Sequence, residues 1–479
     1  MADWLRRKNV AHVQNHDKDR RLVPTLTWPH LVALGIGGIV GTGIYTLIGV
    51  GVDRAGPAIL LAFVIAGFIS ACSAFAYAEL ATMMPVSGGA YTYTYAAFGE
   101  ILAWVVGWSL VLEYSLVVST VAVGWSAYVS GFLNGLGVHL PYWLMAGFNS
   151  VDPVSGENGL INLPAILIVF VVAGMLVVGT KESALLNGVL VIVKIAALLL
   201  FVVVALPHFN PQNFEPFMPF GFVKTLSPNG VERGVMAAAA IIFFAFYGFD
   251  TVATAAEETK NPKRDLSIGI VGSLTGCVII YMLVGLAAVG ALHYTLFAHS
   301  AEPLALILRD LHSPVMAKII AVAAIVALPT VLLAFFYGQT RIFFAMGRDG
   351  LLPYGLSKVH SKTGTPVATT IFTAIVIAFF AGIARLDEIA ALANAGTLIA
   401  FAAVGACLLA LRVREPDALR KFRVPGAWII GPLAILGCMY LFFSLPAKTQ
   451  YWFLLWNIAG VALYLVYGRW ASRMNEKTS

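Results

Sequence analysis

Leu34-Gly-Ile-Gly-Gly-Ile-Val-Gly-Thr-Gly-Ile-Tyr45 lies in the first long apolar run of a 479-residue chain, and it is a poor α-helix. Gly35, Gly37, Gly38, Gly41 and Gly43 fall within ten residues, and each weakens a helix by about 1 kcal/mol relative to Ala. A close helix–helix contact would want its glycines on one face at a spacing of four. These five go round the helix, which favours an unwound segment. A second interruption is read in Ile241-Ile-Phe-Phe-Ala-Phe-Tyr-Gly-Phe-Asp-Thr-Val252, where Gly248 is followed by Asp250 in mid-run. Bare backbone inside a membrane survives only where it lines a cavity or a bound ligand. The two breaks therefore mark the candidate site.

That the surroundings are lipid follows from composition. Hydrophobic residues make up 59% of the chain and charged residues 11%, with a mean hydropathy of +0.86, whereas a soluble chain carries about 25% charged residues. Twelve apolar runs bounded by charge, Pro and Gly are candidate crossings. They cover 31–51, 58–82, 98–133, 162–180, 186–206, 235–256, 267–293, 315–346, 366–384, 389–411, 428–445 and 450–470. The third and eighth exceed a perpendicular crossing and are expected to tilt strongly. Thr180–Leu185 is expected to make a tight hairpin between the fourth and fifth. The breaks fall in spans one and six, which correspond if the core is two inverted five-helix repeats. The expected fold is all-α integral membrane, with 12 transmembrane helices and broken helices 1 and 6. It divides into a cytoplasmic segment 1–29, a first repeat 30–206, a second repeat 235–412, two extra helices within 427–470 and a tail 471–479. The halves share no convincing residue-by-residue identity, so the repeat rests on the breaks.

Charge sets the orientation. Of 30 Lys and Arg, 22 fall in segments on the side of the termini, seven on the other side, and Lys194 inside a span. The long loop 134–161 has neither Lys nor Arg. By the positive-inside rule both termini are cytoplasmic. The net charge of +6 does not point to nucleic acid, because the basic residues form no continuous stripe. The polar segment before the first run is not a cleavable signal. Its stretch Asp3–Val13 reads equally as a short interfacial helix or a disordered basic tail. The four cysteines lie inside apolar runs at no metal-ligand spacing and read as packing residues. The nine histidines are scattered, so no metal site is expected. Nothing resembles a nucleotide-binding loop, and no cofactor is expected.

Further stretches join the two breaks: Tyr77-Ala-Glu-Leu80, Pro85-Val-Ser-Gly-Gly-Ala-Tyr-Thr-Tyr93, Glu257-Glu-Thr-Lys-Asn-Pro262 with Gly269-Ile270, Ala345-Met-Gly-Arg-Asp-Gly-Leu-Leu-Pro353, and Phe422-Arg-Val-Pro425. With Gly35–Tyr45 and Phe243–Asp250 they resemble the amino acid–polyamine–organocation superfamily, most closely its cationic amino acid transporter branch and bacterial relatives. The resemblance spreads over nearly the whole chain. It implies a leucine-transporter-like 5+5 inverted repeat and a secondary active transporter. Such a protein imports L-amino acids across the plasma membrane by proton symport, among membrane lipids. The alternatives are an exchanger without proton coupling and, in a different class, a membrane amino-acid sensor. No nucleophile–base pair or paired metal ligands appear in the spans, so an enzyme is not expected.

Roles follow where the motifs match. The resemblance implies that the unwound first helix offers Ile39, Gly41, Thr42 and Gly43 to the substrate carboxylate, which agrees with the pull of a helix N-terminus on an anion. Freed carbonyls of Phe244, Ala245 and Tyr247 would receive the α-ammonium, with Phe244 closing over the ligand as an aromatic gate. Glu113, Lys194 and Asp250 are charged residues well inside apolar runs, each costing at least about 2.5–3.5 kcal/mol unless paired or hydrated. Lys194 is too deep in its span to snorkel. In the proton-coupled proteins it resembles, a fifth-helix lysine stands where sodium-driven relatives bind their ion. That assigns proton coupling to Lys194, bridging the fifth helix to the first and eighth. Glu113 is grouped with it in proton coupling, and is either its partner or a shaper of the pocket. Asp250 is expected to tie broken backbone N–H groups, and Glu79 to be a gate or packing residue. Ala327-Leu-Pro-Thr-Val-Leu-Leu-Ala334 offers no carboxylate to a cationic side chain. The substrates expected are therefore small neutral or broadly accepted amino acids.

Overall fold

The structure is a computed structural model that describes residues 6–7, 26–86, 88–148, 150–151, 156–178, 183–228, 230–256, 259–298, 300–357 and 367–472. Residues 183–185 of the expected hairpin turn begin a helix, while most of the expected interfacial helix at 3–13, residues 180–182 of that turn and most of the 471–479 tail lie outside the described residues. Within them the apolar runs are helical, as backbone without water must be. Among the described residues ten helical stretches are long and apolar enough to cross a membrane, and Leu163–Val177 and Val367–Ile383 are shorter apolar helices.

The first run is three pieces: α1 (Trp28–Ile39), α2 (Thr42–Tyr45) and α3 (Leu47–Ala55). Then come α4 (Ile59–Met83), a short α5 (Gly89–Phe98), and α6 (Glu100–Asn134), unbroken over 35 residues. Next are α7 (Leu163–Val178) and α8 (Ser183–Ala205). A second interrupted stretch follows: α9 (Val235–Ile242), a 3-10 turn Phe243–Ala245, and α10 (Asp250–Thr254). The chain continues through α11 (Pro262–Ala291), α12 (Pro303–Asp310), α13 (Pro314–Ala327) and α14 (Pro329–Arg348). It ends with α15 (Val367–Ile383), α16 (Leu386–Arg414), α17 (Ala427–Ser444) and α18 (Ala447–Leu463). A two-stranded hairpin, β1 (Thr225–Leu226) with β2 (Glu232–Arg233), sits in the loop before α9.

Two expectations change. The eighth run is jointed at Leu328–Pro329, because a prolyl residue has no N–H to continue the ladder. Leu328 keeps right-handed helical angles (φ −59, ψ −35), so the axis continues through the joint. The short helices α5 and α12 were not anticipated between the spans.

α9 is buried on all sides and α1 packs against α11, which also packs against α4. The rim is held differently. Trp108 of α6 stacks on Trp104 of the same helix (5.7 Å between rings) and on Trp456 of α18 (4.6 Å). Trp108 donates to Trp456 O (2.9 Å) and Trp456 donates back to Trp108 O (3.0 Å). Indoles satisfy both of their natures here, apolar face and N–H. Most of the rest of α17 and α18 exposes Trp, Tyr, Leu and Ile, as a lipid-facing surface does.

Candidate functional site

The first break is two residues wide. α1 runs through Gly35, Gly37 and Gly38 and ends at Ile39; Val40 and Gly41 are extended, and the helix restarts at Thr42. The loss of helix frees carbonyls, and buried polar groups must find partners. Lys194 of α8 donates from Nζ to Gly37 O (2.8 Å) and to Val40 O (2.9 Å). Tyr281 of α11 donates to Ile39 O (2.8 Å), and Tyr128 of α6 donates to Tyr45 O (2.6 Å). On the donor side the accounts stay open. The N–H groups of Gly41, Thr42 and Gly43 meet no backbone acceptor among the described residues, and the Thr42 hydroxyl has no partner.

The second break is longer. After the 3-10 turn, Gly248 takes φ +121, a left-handed conformation that suits glycine. Asp250 holds it: Gly248 N–H donates to Oδ1 (2.9 Å) and the Tyr114 hydroxyl donates to Oδ2 (2.6 Å). Asn394 of α16 donates to both Ala240 O (2.7 Å) and Ile241 O (3.0 Å). The carbonyls of Phe244, Ala245 and Tyr247 accept nothing among the described residues.

The two breaks touch. A Cβ on Gly248 would stand 2.7 Å from Gly38 C, and one on Gly43 would stand 2.6 Å from the Ala245 Cβ. Gly35 meets Ser273 of α11 in the same manner. So the glycines of the first run both allow the break and permit close contact. Around the junction stand Phe244 and Tyr247 (5.0 Å between rings), with Phe335 of α14 against Tyr247 and Tyr114. Val331 of α14 covers Gly41.

All of the residues expected at the substrate site, Ile39, Gly41, Thr42, Gly43, Phe244, Ala245 and Tyr247, are buried at this junction. Lys194 and Glu113 are not partners. The lysine is spent on main-chain carbonyls of the first break, whereas Glu113 lies on α6 within electrostatic reach of Asp250 and Tyr247. Thr397 neighbours Glu113 but donates from its hydroxyl to Ala393 O (3.2 Å), and by geometry neither carboxylate oxygen of Glu113 has a hydrogen-bond partner among the described residues. No bond from Lys194 to the eighth run is present among the described residues. Asn394, Tyr281 and Tyr128 were missed in the sequence. Their signal was a single polar group in an apolar run, such as Ala393-Asn-Ala395.

Away from the junction, Glu79 is buried at the end of α4 and clamped by the last turn of α16 and the loop after it. Arg412 donates to both of its oxygens (2.7 and 2.6 Å), Arg420 Nε lies 3.1 Å away, and Val424 N–H donates to Oε2 (2.7 Å). At the other end, Asp53–Arg233 (3.2 Å) and Arg54–Glu232 (3.8 Å) pair the end of α3 with β2.

The model of the amino acid permease family matches residues 26–466. The branched-chain amino acid permease BcaP of Bacillus subtilis (strain 168) is 44% identical over 446 residues, covering 93% of this chain and 93% of that protein. The methylthioribose transporter of the same bacterium is 38% identical over 477 residues, 99% of this chain and 100% of that protein. Cationic amino acid transporter 2, vacuolar, of Arabidopsis thaliana is 38% identical over 421 residues, 86% of this chain and 64% of that protein. With two helix breaks packed at its centre and a match along almost its whole length, this chain is a multi-pass membrane transporter of the amino acid permease family, within the amino acid–polyamine–organocation superfamily.

Proposed function

We propose that the protein imports neutral amino acids with apolar side chains across the cell membrane by proton symport. One observation carries the reading. Orphan N–H groups at Gly41–Gly43 and idle carbonyls at Phe244, Ala245 and Tyr247 lie at one junction. A zwitterion supplies what both sets lack, a carboxylate for the N–H groups and an ammonium for the carbonyls. Val331 beside Gly41, the apolar Ala327–Ala334 segment and the branched-chain name of one relative favour an apolar side chain.

Twelve crossings belong to this reading, arranged as inverted repeats 30–206 and 235–412 with two helices outside them and both termini cytoplasmic. Lys194 serves as the proton-linked cation that ties α8 to the first break, and Glu113 beside Asp250 is the second candidate for proton handling. A second reading, a hydroxyl-rich thiosugar substrate, is favoured by the unpartnered Glu113 oxygens and Tyr247 hydroxyl together with the methylthioribose transporter likeness.

The test is uptake of radiolabelled leucine, alanine, arginine and methylthioribose into proteoliposomes, with and without an inward proton gradient. Gradient-driven accumulation of leucine is expected. Uptake that ignores the gradient and follows internal amino acid would instead make the protein an exchanger, and preferred methylthioribose uptake would establish the second reading.

A further inference from the structure

A cleft of about 420 Å³ opens where the start of α11 meets the loop between α16 and α17. It is lined by Asn261, Lys263, Arg264, Ser267, Lys421 and Phe422. Three cations border it, and among the described residues no acid lines it. Lys263 and Lys421 are exposed and make no side-chain ion pair with any described acid. Arg264 has one long contact, 3.8 Å to Asp265, and stays 65% exposed. Cations brought together without acceptors repel, so the cleft favours an anion. In the first turn of α11 the Lys263 N–H meets no backbone acceptor among the described residues and adds to that preference, whereas Pro262 has no N–H and those of Arg264 and Asp265 donate to Asn261 O.

The second feature is apolar. Phe422 closes one wall and stacks flat on Phe75 of α4, rings 6.4 Å apart and 4° from parallel. From Phe75, the residues Ala71, Phe68 and Val64 follow at helical spacing, with Phe68 56% and Val64 50% exposed. The cationic cleft thus heads a lipid-facing strip. A soluble phosphate would use the cations alone; a phospholipid would use both. We propose that this cleft holds the phosphate head group of an anionic phospholipid, its acyl chains lying along Val64, Phe68, Ala71 and Phe75. Basic pockets beside membrane helices bind such head groups by charge complementarity. The occupant would also brace α11 against the loop that Arg420 and Val424 fasten to Glu79.

The full-length protein and a Lys263→Gln/Arg264→Gln/Lys421→Gln variant are titrated in detergent with dioleoylphosphatidylglycerol or dioleoylphosphatidylcholine. Unfolding temperature and lipid retained in native mass spectra are read. Phosphatidylglycerol is expected to raise the unfolding temperature of the unaltered protein by several degrees, and phosphatidylcholine to leave it in place. The triple variant should bind phosphatidylglycerol at least tenfold more weakly, while Lys318→Gln, a lone exposed cation at the other end of the molecule, keeps the response. An unchanged response in the triple variant overturns the proposal, and so do equal responses to the two lipids. If sn-glycerol 3-phosphate alone reproduces the shift, the ligand is a free phosphate and the lipid assignment fails. Should the triple variant not fold, Lys263→Gln and Lys421→Gln singly carry the test, each expected to weaken binding about fivefold by loss of one cation.

Discussion

Lys194 gives two hydrogen bonds to carbonyls that an unbroken first helix would have used itself. A charged donor on two main-chain acceptors is a strong arrangement, each bond worth about 1.5–3 kcal/mol. It is also one that a change of protonation would alter, because a neutral amine loses both its charge and one donor. Lys194→Ala is therefore expected to abolish gradient-driven accumulation in proteoliposomes while counterflow exchange of labelled substrate persists. Normal accumulation in that variant would leave the lysine a purely structural charge. Lys194 and Asp250 were legible in the sequence because a charge in an apolar run stands out. Asn394, Tyr281 and Tyr128 were not, since an uncharged polar residue in a span announces neither its partner nor its depth. The pairing of Glu113 with Lys194 failed for a related reason: which neighbour a long helix turns toward its carboxylate is a matter of packing, and composition carries no trace of it.

At the scale of helices, the two interruptions depend on contact between backbones. Gly43→Ala places a methyl against Ala245 (2.6 Å to its Cβ), with main-chain atoms behind it that have no room to retreat. Substrate affinity is expected to fall at least tenfold, with the variant still folded; isothermal titration or scintillation-proximity binding, checked by size-exclusion chromatography, reads both, and an unchanged affinity would move the site elsewhere. Asn394→Leu keeps the bulk at the second break but leaves the Ala240 and Ile241 carbonyls without donors. Stranding buried acceptors costs about 1–3 kcal/mol, so the unfolding temperature should drop, and one equal to that of the unaltered protein would show that other donors replace the asparagine. The first break was readable from a Gly-rich run and the second from Gly248 followed by Asp250, yet for the first the reading set unwinding against close contact as rivals. The structure has both, because one glycine-rich stretch can unwind at Val40–Gly41 and still let Gly35 reach Ser273. The eighth run was read as one crossing over 315–346; its axis does continue, but the ladder is jointed at Pro329.

For the molecule as a whole, the distribution of Lys and Arg leads to a topological expectation: both ends of the chain on the cytoplasmic side. A cysteine added after Ser479 should resist a membrane-impermeant maleimide in intact cells and react once they are opened; labelling of intact cells would reverse the assignment. Long-range organisation was legible as the order of spans and the place of the breaks, whereas the Glu79 clamp and the tryptophan stack were not, since each joins residues more than 300 positions apart. One consequence of the Lys194 arrangement concerns inheritance. Its acceptors are main-chain oxygens, which every amino acid carries, so no codon change at Val40 can delete the oxygen that Lys194 meets there. Drift can reshape the side chains lining the first break, and with them the cargo, while the fastening survives. Nearly all of its vulnerability is concentrated in a single triplet, the one encoding residue 194, and a saturation-mutagenesis map should show intolerance there beside comparative permissiveness at position 40.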